Sequence, residues 1–409
     1  LSYVWPSAEQ KRQREFCAQE FPSLWESWVQ SITEFGFAGS STVACDAPQQ
    51  AAELPSVVPA AARVVAIGDI HGDFQKAWRA FRLGGLIDER GRWSGGKTVC
   101  VQVGDVLDRG DQELQIFYFL ERLQVEAEAA GGKLYVLNGN HETMNVATNH
   151  RYATPGAAVE LMRWKQWRAF ASSLREMCAT CAQGGGAAAG VPPPSTAPAP
   201  LGVQGASDAQ PGLYGGMHFE RTAAWKPGSQ LSRRFLAPHP ITLQVGSSLF
   251  VHGGVLPAHV EYGLERINRE TQSWLLEGNA LRPPSFLRGS TAIVWARDFS
   301  AEDEARCDCT KLQAVLQSVP GASRMVVGHT IQEQGANAAC GGQVVRVDVG
   351  LSRGCGDGAP QVVEILDDET VRRLREGAPP EVLVAAGDAA AQRGSSATRP
   401  GGASGGGWR

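Results

Sequence analysis

The chain has 409 residues, of which 43% are hydrophobic, and its formal net charge is -4. That length can bury one large core with extensions, and the lack of net positive charge argues against a general role in binding nucleic acid. No apolar run approaches the ~18 residues that a membrane-spanning helix needs, so the sequence predicts a soluble protein without a membrane span.

Residues 1–62 are predicted to form an N-terminal extension and a linker. Residues 9–35 have the composition of a helix with interspersed aromatic residues, and Pro22 would break or restart that helix. Residues 39–62 are rich in Ala, Ser and Pro, which is typical of a linker. We expect the aromatic residues to dock on the main domain; a partner-binding site is the alternative.

The main domain is predicted to span residues 63–376 and to begin with alternating strands and helices. Apolar runs at 64–67, 98–103 and 134–137 each end at a glycine-containing polar motif, and helical patterns lie between them at 73–83 and 113–130. This alternation predicts a β-α-β-α-β unit with a parallel sheet. The loops after the carboxyl ends of such strands commonly hold ligands.

The second half of the chain is predicted to add another sheet. Residues 183–212 are dominated by Gly, Ala and Pro and predict a disordered insertion. The strands predicted after it, at 241–245, 249–252, 325–328, 344–347 and 362–366, suggest a second, mixed or antiparallel sheet packed on the first. Residues 377–409 predict a low-complexity tail.

The nine cysteines are odd in number and scattered, unlike a secreted disulfide framework. The close pairs are Cys178-x-x-Cys181 and Cys307-x-Cys309. A zinc or redox site would need a second matching pair or a redox fold nearby, so we interpret these residues as ordinary loop thiols.

Five short motifs place metal-binding or proton-carrying side chains beside glycine. They are Gly68-Asp69-Ile70-His71-Gly72, Gly104-Asp105-Val106-Leu107-Asp108-Arg109-Gly110, Gly139-Asn140-His141-Glu142, His252-Gly253-Gly254 and Gly328-His329-Thr330. One such motif is usually only a turn, whereas five in order on strand-end loops are hard to obtain by chance. They supply enough Asp, Asn and His for two metal ions, an arrangement suited to displacement at phosphorus. Mixed His and carboxylate ligation favours Mn, Fe or Zn over Ca.

The set resembles the phosphoprotein phosphatase group of the calcineurin-like metallophosphoesterases, from about residue 63 to 366. The resemblance implies an α/β fold: a two-sheet β sandwich flanked by helices, with a dinuclear metal site on strand-end loops. It implies a first metal bound by Asp69, His71 and Asp105, and a second bound by Asp105, Asn140, His252 and His329. It also implies that His141 is the general acid, oriented by Asp108, and that Arg109 and Asn140 bind phosphate.

These implied roles agree with the chemistry of the side chains. A hydroxide that bridges two metals has a lowered pKa and can attack phosphorus in line. Histidine can protonate the leaving oxygen near neutral pH, and arginine offers a planar fork to phosphate. We expect Glu142 to support a ligand rather than to bind metal, and we interpret Asn145 as structural.

The second half of the chain resembles the Shewanella-like protein phosphatases more narrowly, above all their plastid-type members in plants and algae. The resemblance rests on residues 249–254, 260–270, 294–297, 325–330 and 345–350. It implies a plastid location, with the cytoplasm as the alternative.

The sequence differs from that of the common Ser/Thr phosphatases at two places that bear on substrate binding. Residues 347–351, Val-Asp-Val-Gly-Leu, stand where those enzymes carry Ser-Ala-Pro-Asn-Tyr, which implies altered substrate choice and weak sensitivity to toxin inhibitors. A second phosphate-binding arginine is not obvious. Arg297 is the candidate, with a surface ion pair as its alternative role, and Arg288 is a weaker one.

The sequence therefore predicts a metal-dependent phosphatase whose substrates are proteins phosphorylated on Ser, Thr or Tyr. The alternative is a dinucleoside polyphosphate hydrolase or phosphodiesterase with the same metal site. An inactive scaffold is disfavoured, because no expected ligand or acid is missing.

Overall fold

Two six-stranded sheets share one hydrophobic core in the computed structural model, which describes residues 8–15, 54–166, 211–277 and 281–387. The strands are β1 (Val57–Val58), β2 (Arg63–Ile67), β3 (Val99–Gln102), β4 (Lys133–Val136), β5 (Thr242–Val245), β6 (Ser248–Val251), β7 (Arg324–Val327), β8 (Asn337–Ala339), β9 (Val344–Arg346), β10 (Gln361–Leu366), β11 (Thr370–Arg375) and β12 (Glu381–Val384).

Helices connect strands of the two sheets, and one further helix precedes the first strand. They are α1 (Ala8–Glu15), α2 (Phe74–Leu83), α3 (Glu113–Ala129), α4 (Asn140–Val146), α5 (155–166), α6 (Pro211–Trp225), α7 (Pro257–Tyr262), α8 (Leu264–Glu277) and α9 (Cys309–Ser318). In the described part of the chain, no helix is both long and apolar enough to cross a membrane.

The first sheet has the order β12-β11-β10-β2-β3-β4 and contains the predicted β-α-β-α-β unit. β2 pairs in parallel with β3, and β3 with β4, with α2 and α3 as the connections. The strands form here because runs of Val, Ile and Cys are buried on both faces. The parallel β2-β3-β4 unit is therefore confirmed, and the antiparallel β10, β11 and β12 make the sheet as a whole mixed.

The second sheet has the order β1-β5-β6-β7-β9-β8 and is mixed, as predicted. β6 pairs in parallel with β7 and antiparallel with β5. One predicted member is placed elsewhere: the strand at 361–366 joins the first sheet, antiparallel to β2, with Val363 opposite Ala66. Its apolar run suits either sheet, so pairing with β2 is decided by the path of the chain.

The predicted segment boundaries need two corrections. β1 lies within the predicted linker, where it pairs with β5, and β12 lies within the predicted tail, where it pairs with β11. The ordered domain thus extends to Val384 at least. Residues 16–35, most of the predicted insertion and the end of the tail lie outside the described residues, whereas residues 211 and 212 open α6.

Among the close pairs interpreted as ordinary loop thiols, that interpretation is wrong for Cys309. Its sulfur is bonded to that of Cys340, which joins the start of α9 to the end of β8 across 31 residues of sequence. Two cysteines so far apart in the sequence form no local pattern from which their disulfide could be predicted. Cys307 is a buried free thiol, and Cys178 and Cys181 lie outside the described residues.

We predict that His239, a buried histidine next to Phe117, makes folding pH-dependent. Burial lowers its pKa from 6.5 to about 3, so the unfolded chain binds a proton at pH values where the folded chain does not. The contribution of neutral, buried His239 to the free energy of unfolding is complete above pH 6.5 and is lost as the pH falls toward 3. Stability should then fall by at most about 1.4 kcal/mol per pH unit through this residue.

The measurement is the free energy of unfolding in urea between pH 5 and 7 for the parent and for His239→Leu. The variant should show a shallower dependence on pH. Equal slopes for the two proteins would contradict a neutral buried His239.

Candidate metal centre and active site

The five motifs converge on one cavity of about 240 Å³. The loops that form it follow β2, β3, β4, β6 and β7, whose carboxyl ends meet at the same edge of the two sheets. The cavity is lined by Asp69, His71, Asp105, Arg109, Asn140, His141, Tyr152, Trp295, Arg297, His329, Ile331, Asp348 and Cys355. His252 is fully buried directly beneath, against Asp105. All predicted metal ligands are thus brought together.

Glu142 holds the loop that carries Asp105. Its carboxylate accepts hydrogen bonds from the backbone amides of Asp105, Val106 and Leu107 at 2.9, 2.9 and 3.0 Å, and from Gly139 at 2.7 Å. With both oxygens engaged by amides, Glu142 supports the loop and is not directed at the metal site. The expectation that it supports a ligand agrees with these contacts.

Several site residues have left-handed backbone conformations that side chains rarely adopt. The φ angles are 48° at His71, 57° at Asp105, 71° at Asp108, 64° at Arg109 and 68° at His329. Each such residue costs on the order of 1–3 kcal/mol and persists only where the surroundings impose it. Four of these residues line the cavity, and Asp108 contacts His141, which also lines it.

The first group of candidate metal ligands surrounds the Nε2 atom of His71. Its Nδ1 lies 3.0 Å from the carbonyl oxygen of Leu107, which can only accept a hydrogen bond, so Nε2 presents its lone pair. That lone pair faces carboxylate oxygens of Asp69 at 4.0 Å and Asp105 at 3.7 Å. Burial lowers the pKa of His71 to about 4, which keeps it in the neutral form that binds metal.

The second group surrounds His252 and shares Asp105. Nδ1 of His252 lies 3.0 Å from the Val103 carbonyl, and Nε2 lies 3.2 Å from Asp105 Oδ2 and 2.8 Å from Asn140 Oδ1. Nε2 of His329 is buried and has no hydrogen-bond partner among the described residues. Ligand atoms of Asp105, His252 and His329 all lie within 4.8 Å of one another.

These contacts fit a cation better than they fit an empty protein site. Nε2 of His252 and the oxygens of Asp105 and Asn140 all carry lone pairs. The one proton that Nε2 can carry is the most that could lie between them. Burial raises the pKa of Asp69 well above its usual value, with Asp348 and Asp105 adding to the effect. Metal ions between these groups would balance the charge and bind the orphaned nitrogen of His329.

His141 differs from the other site histidines because a carboxylate holds its Nδ1. That atom lies 2.7 Å from Asp108 Oδ2, and Nε2 lies 3.8 Å from Asp105 Oδ2. Burial lowers the pKa of His141, but Asp105 and then Asp108 outweigh it and raise the pKa above 6.5. His71, Asp105 and His141 also form a possible ligand group by distance. The bond to Asp108 distinguishes His141 from His71 and His252, whose Nδ1 atoms face backbone carbonyls.

Two arginines border the cavity beside these groups. The guanidinium of Arg109 lies 4.5 Å from the ring centre of Tyr152, and its Nε is buried without a hydrogen-bond partner in the described structure. Arg297 donates to the His329 carbonyl at 3.1 Å and to Thr330 Oγ1 at 2.7 Å. Among the described residues Arg297 forms no ion pair, whereas Arg288 is exposed and does not line the cavity.

Comparison with known proteins agrees with this geometry. A family profile of calcineurin-like phosphoesterases matches residues 62–185. Shewanella-like protein phosphatase 2 of Arabidopsis thaliana is 40% identical over 358 residues, which cover 87% of this chain and 88% of the relative. The chain belongs to the Shewanella-like protein phosphatases. Shewanella-like protein phosphatase 1 of Plasmodium berghei is 39% identical over 93 residues, 23% of this chain and 26% of that protein.

A solved structure shows the same fold. The cold-active protein-tyrosine phosphatase of a psychrophilic Shewanella species superposes with a TM-score of 0.56 at 20% identity, covering 81% of this chain and 82% of that one. The predicted calcineurin-like fold, with two sheets and flanking helices, is therefore confirmed.

Sequence reasoning missed several residues of this Shewanella-like phosphatase site. Asp348 follows β9 just as Asp69 follows β2, so its position at a strand end was a usable signal; burial raises its pKa to about 6. Tyr152, Trp295 and Cys355 reach the cavity from loops without a recognisable pattern. Arg221, which donates to Asp108, had no signal at all.

We predict that Gly328→Ala weakens metal binding. A Cβ at this position would lie 2.4 Å from Asp69 Oδ1, so the carboxylate would have to move. Metal content per chain after dialysis should fall, with a dissociation constant raised by ~10-fold or more, as when the support of a ligand is lost.

Gly84→Ala is the matched control. Its backbone is helical, with φ at -68°, and its added Cβ would meet only side-chain atoms at 3.2 Å or more. If both variants kept the parent's metal content, the close approach of Gly328 to Asp69 would have no bearing on metal binding.

Proposed function

We propose that this chain is a metal-dependent phosphoprotein phosphatase that removes phosphate from Ser, Thr or Tyr side chains, with His141 as general acid. The observation that carries the proposal is the Asp108–His141 pair, 2.7 Å apart, beside two ligand groups that share Asp105. A proton donor next to two adjacent cation sites is what hydrolysis of a phosphomonoester requires.

The predicted ligands would hold two metal ions. Asp69, His71 and Asp105 form one set, and Asp105, Asn140, His252 and His329 form the other. Bound metal ions lower the pKa of water and neutralise charge on phosphate oxygens. The nitrogen and oxygen donors suit Mn, Fe or Zn.

His141 supplies the proton that the leaving oxygen needs. Because Asp108 engages Nδ1, the proton to be transferred sits on Nε2, on the side of Asp105 and the cavity. Asp108 Oδ2 accepts a hydrogen bond from Nδ1 of His141 and so fixes the orientation of the ring. Asn145 donates to the same carboxylate oxygen at 3.0 Å and so supports this arrangement.

Arg109, Arg297 and Asn140 would bind the phosphate. All three line the cavity, and the orphaned Nε of Arg109 is a free donor in a buried place, which a phosphate oxygen would satisfy. The positive charge of the two arginines would also offset the charge that builds up in the transition state.

Phosphoproteins are the proposed substrates. Tyr152, Trp295 and Ile331 give the cavity an apolar border against which a peptide side chain can pack. Dinucleoside polyphosphates are not favoured, because the named relatives are protein phosphatases. The plastid location, with the cytoplasm as the alternative, stays a prediction from the sequence resemblance.

The test is turnover of phosphopeptides by the purified protein with added Mn, assayed separately for phosphoserine, phosphothreonine and phosphotyrosine, with diadenosine tetraphosphate in parallel. Release of phosphate from at least one peptide class, abolished by a chelator, is expected. No activity on any peptide together with cleavage of the dinucleotide would overturn the proposal.

We predict that His141→Asn lowers kcat by ~10²–10⁴-fold, the usual contribution of a general acid, while leaving metal content unchanged. Metal content and the kcat for phenyl phosphate, whose poor leaving group needs a proton, are measured on the same sample. Turnover at the parent rate would show that His141 is not the acid.

We predict that Arg297→Ala weakens phosphate binding. KM for a phosphopeptide and the inhibition constant of inorganic phosphate should each rise by ~10-fold, because a charged donor to phosphate is lost. Arg288→Ala, at an exposed position away from the cavity, is the control and should leave both constants unchanged. Equal values of KM and of the inhibition constant in the two variants would show that Arg297 does not bind phosphate.

A further inference from the structure

Arg221 is a buried arginine behind the Asp108–His141 pair. It lies on α6, the helix that resumes the described chain after residue 210, and it is 3% exposed. Its guanidinium donates to Asp108 Oδ1 at 3.0 Å, to Glu113 at 2.7 and 2.8 Å, and to Asn145 Oδ1 at 2.6 Å. One side chain thus joins three residues that come from other elements.

The contacts divide the two oxygens of Asp108 between different donors. Oδ2 accepts from His141 Nδ1 at 2.7 Å and from Asn145 at 3.0 Å, while Oδ1 accepts from Arg221. A carboxylate held at both oxygens cannot rotate about its χ2 bond. The contact with Arg221 on the other side of the carboxylate therefore fixes the direction from Asp108 Oδ2 to the imidazole of His141.

The backbone of Asp108 is held by the same network. Its amide donates to Glu113 Oε1 at 2.6 Å, and that oxygen also accepts from Arg221. Asp108 has a φ of 71°, a strained conformation that needs such support. Arg221 thus stabilises both the side chain and the main chain of the residue that orients the acid.

Arg221 also brings positive charge to two buried carboxylates. Asp108 and Glu113 are 0% and 2% exposed at the side chain, and buried carboxylates need a cation or several donors close by. Arg221 supplies one positive charge to these two carboxylates from the side away from the cavity.

We propose that Arg221 is a positioning residue for catalysis: through Asp108 it holds the imidazole of His141 in line with the leaving oxygen. This inference rests on the proposed role of His141 as general acid. The competing explanation is that the Arg221–Glu113 pair only fastens α6 to α3, as a buried ion pair can.

The leaving group separates these two explanations. Protonation matters most when the leaving oxygen is a poor leaving group. In Arg221→Met, kcat for phenyl phosphate should fall by ~10-fold or more, while kcat for p-nitrophenyl phosphate falls by less than ~3-fold. A purely structural role would lower both rates by the same factor.

Two further variants keep the result interpretable. Arg221→Met combined with Glu113→Gln removes one charge of each sign and guards against unfolding caused by an unpaired buried carboxylate. Arg234→Met is the matched control, because it breaks an Arg–Glu pair with Glu121, 2.7 Å long and away from the cavity. Its ratio of the two rates should equal that of the parent.

A double-mutant cycle tests the route through Asp108. In an Asp108→Asn background, adding Arg221→Met should not change the ratio of the two rates, because the group it orients is already lost. Metal content and melting temperature are measured for every variant. An additive effect on the ratio would overturn the proposal.

The remaining outcomes are also decisive. If the parent hydrolyses both esters and Arg221→Met keeps the parental ratio, this inference fails while the proposed function stands. If both Arg221 variants unfold, Arg221 is a folding residue and the inference fails. If the parent hydrolyses no phosphoester, the proposed function fails, and the inference with it.

Discussion

The buried carboxylate of Asp105 is the group on which the whole site depends. Its Oδ2 lies 3.2, 3.7 and 3.8 Å from the Nε2 atoms of His252, His71 and His141. Burial raises the pKa of Asp105, but the neighbouring His252 and His141 hold it well below its usual value. A buried charge must be matched by nearby positive charge or donors, so the three histidines, and the metal ions proposed between them, are arranged around this one side chain.

This arrangement has a conformational cost that the scaffold must bear. Asp105 is left-handed, and Glu142 compensates by binding the amides of its loop. Gly139 is needed there as well, since a Cβ would lie 2.1 Å from Asp105 Oδ1. Such strain persists because the two sheets and their common core hold both ends of each loop. The strained site therefore depends on the large core.

The acid and the metal ligands share the loops after β3 and β4 but are held by different contacts. The ligands come from loops directly after strands, where backbone hydrogen bonding in the sheets sets their positions. His141 instead depends on Asp108, Asn145 and Arg221, a buried polar network in which almost every donor has an acceptor.

The sequence by itself determined the local elements and most of the ligands. An apolar run followed by Gly-Asp marks both the end of a strand and a side chain at its carboxyl end, and this relation needs only a few neighbouring residues, as at Asp69 and Asp105. The tertiary structure alone decided which sheet β10 joins, that Cys309 bonds to Cys340, and that Arg221 reaches Asp108. Those contacts join residues 31 to 303 positions apart, and they depend on how whole elements pack, which no short pattern encodes.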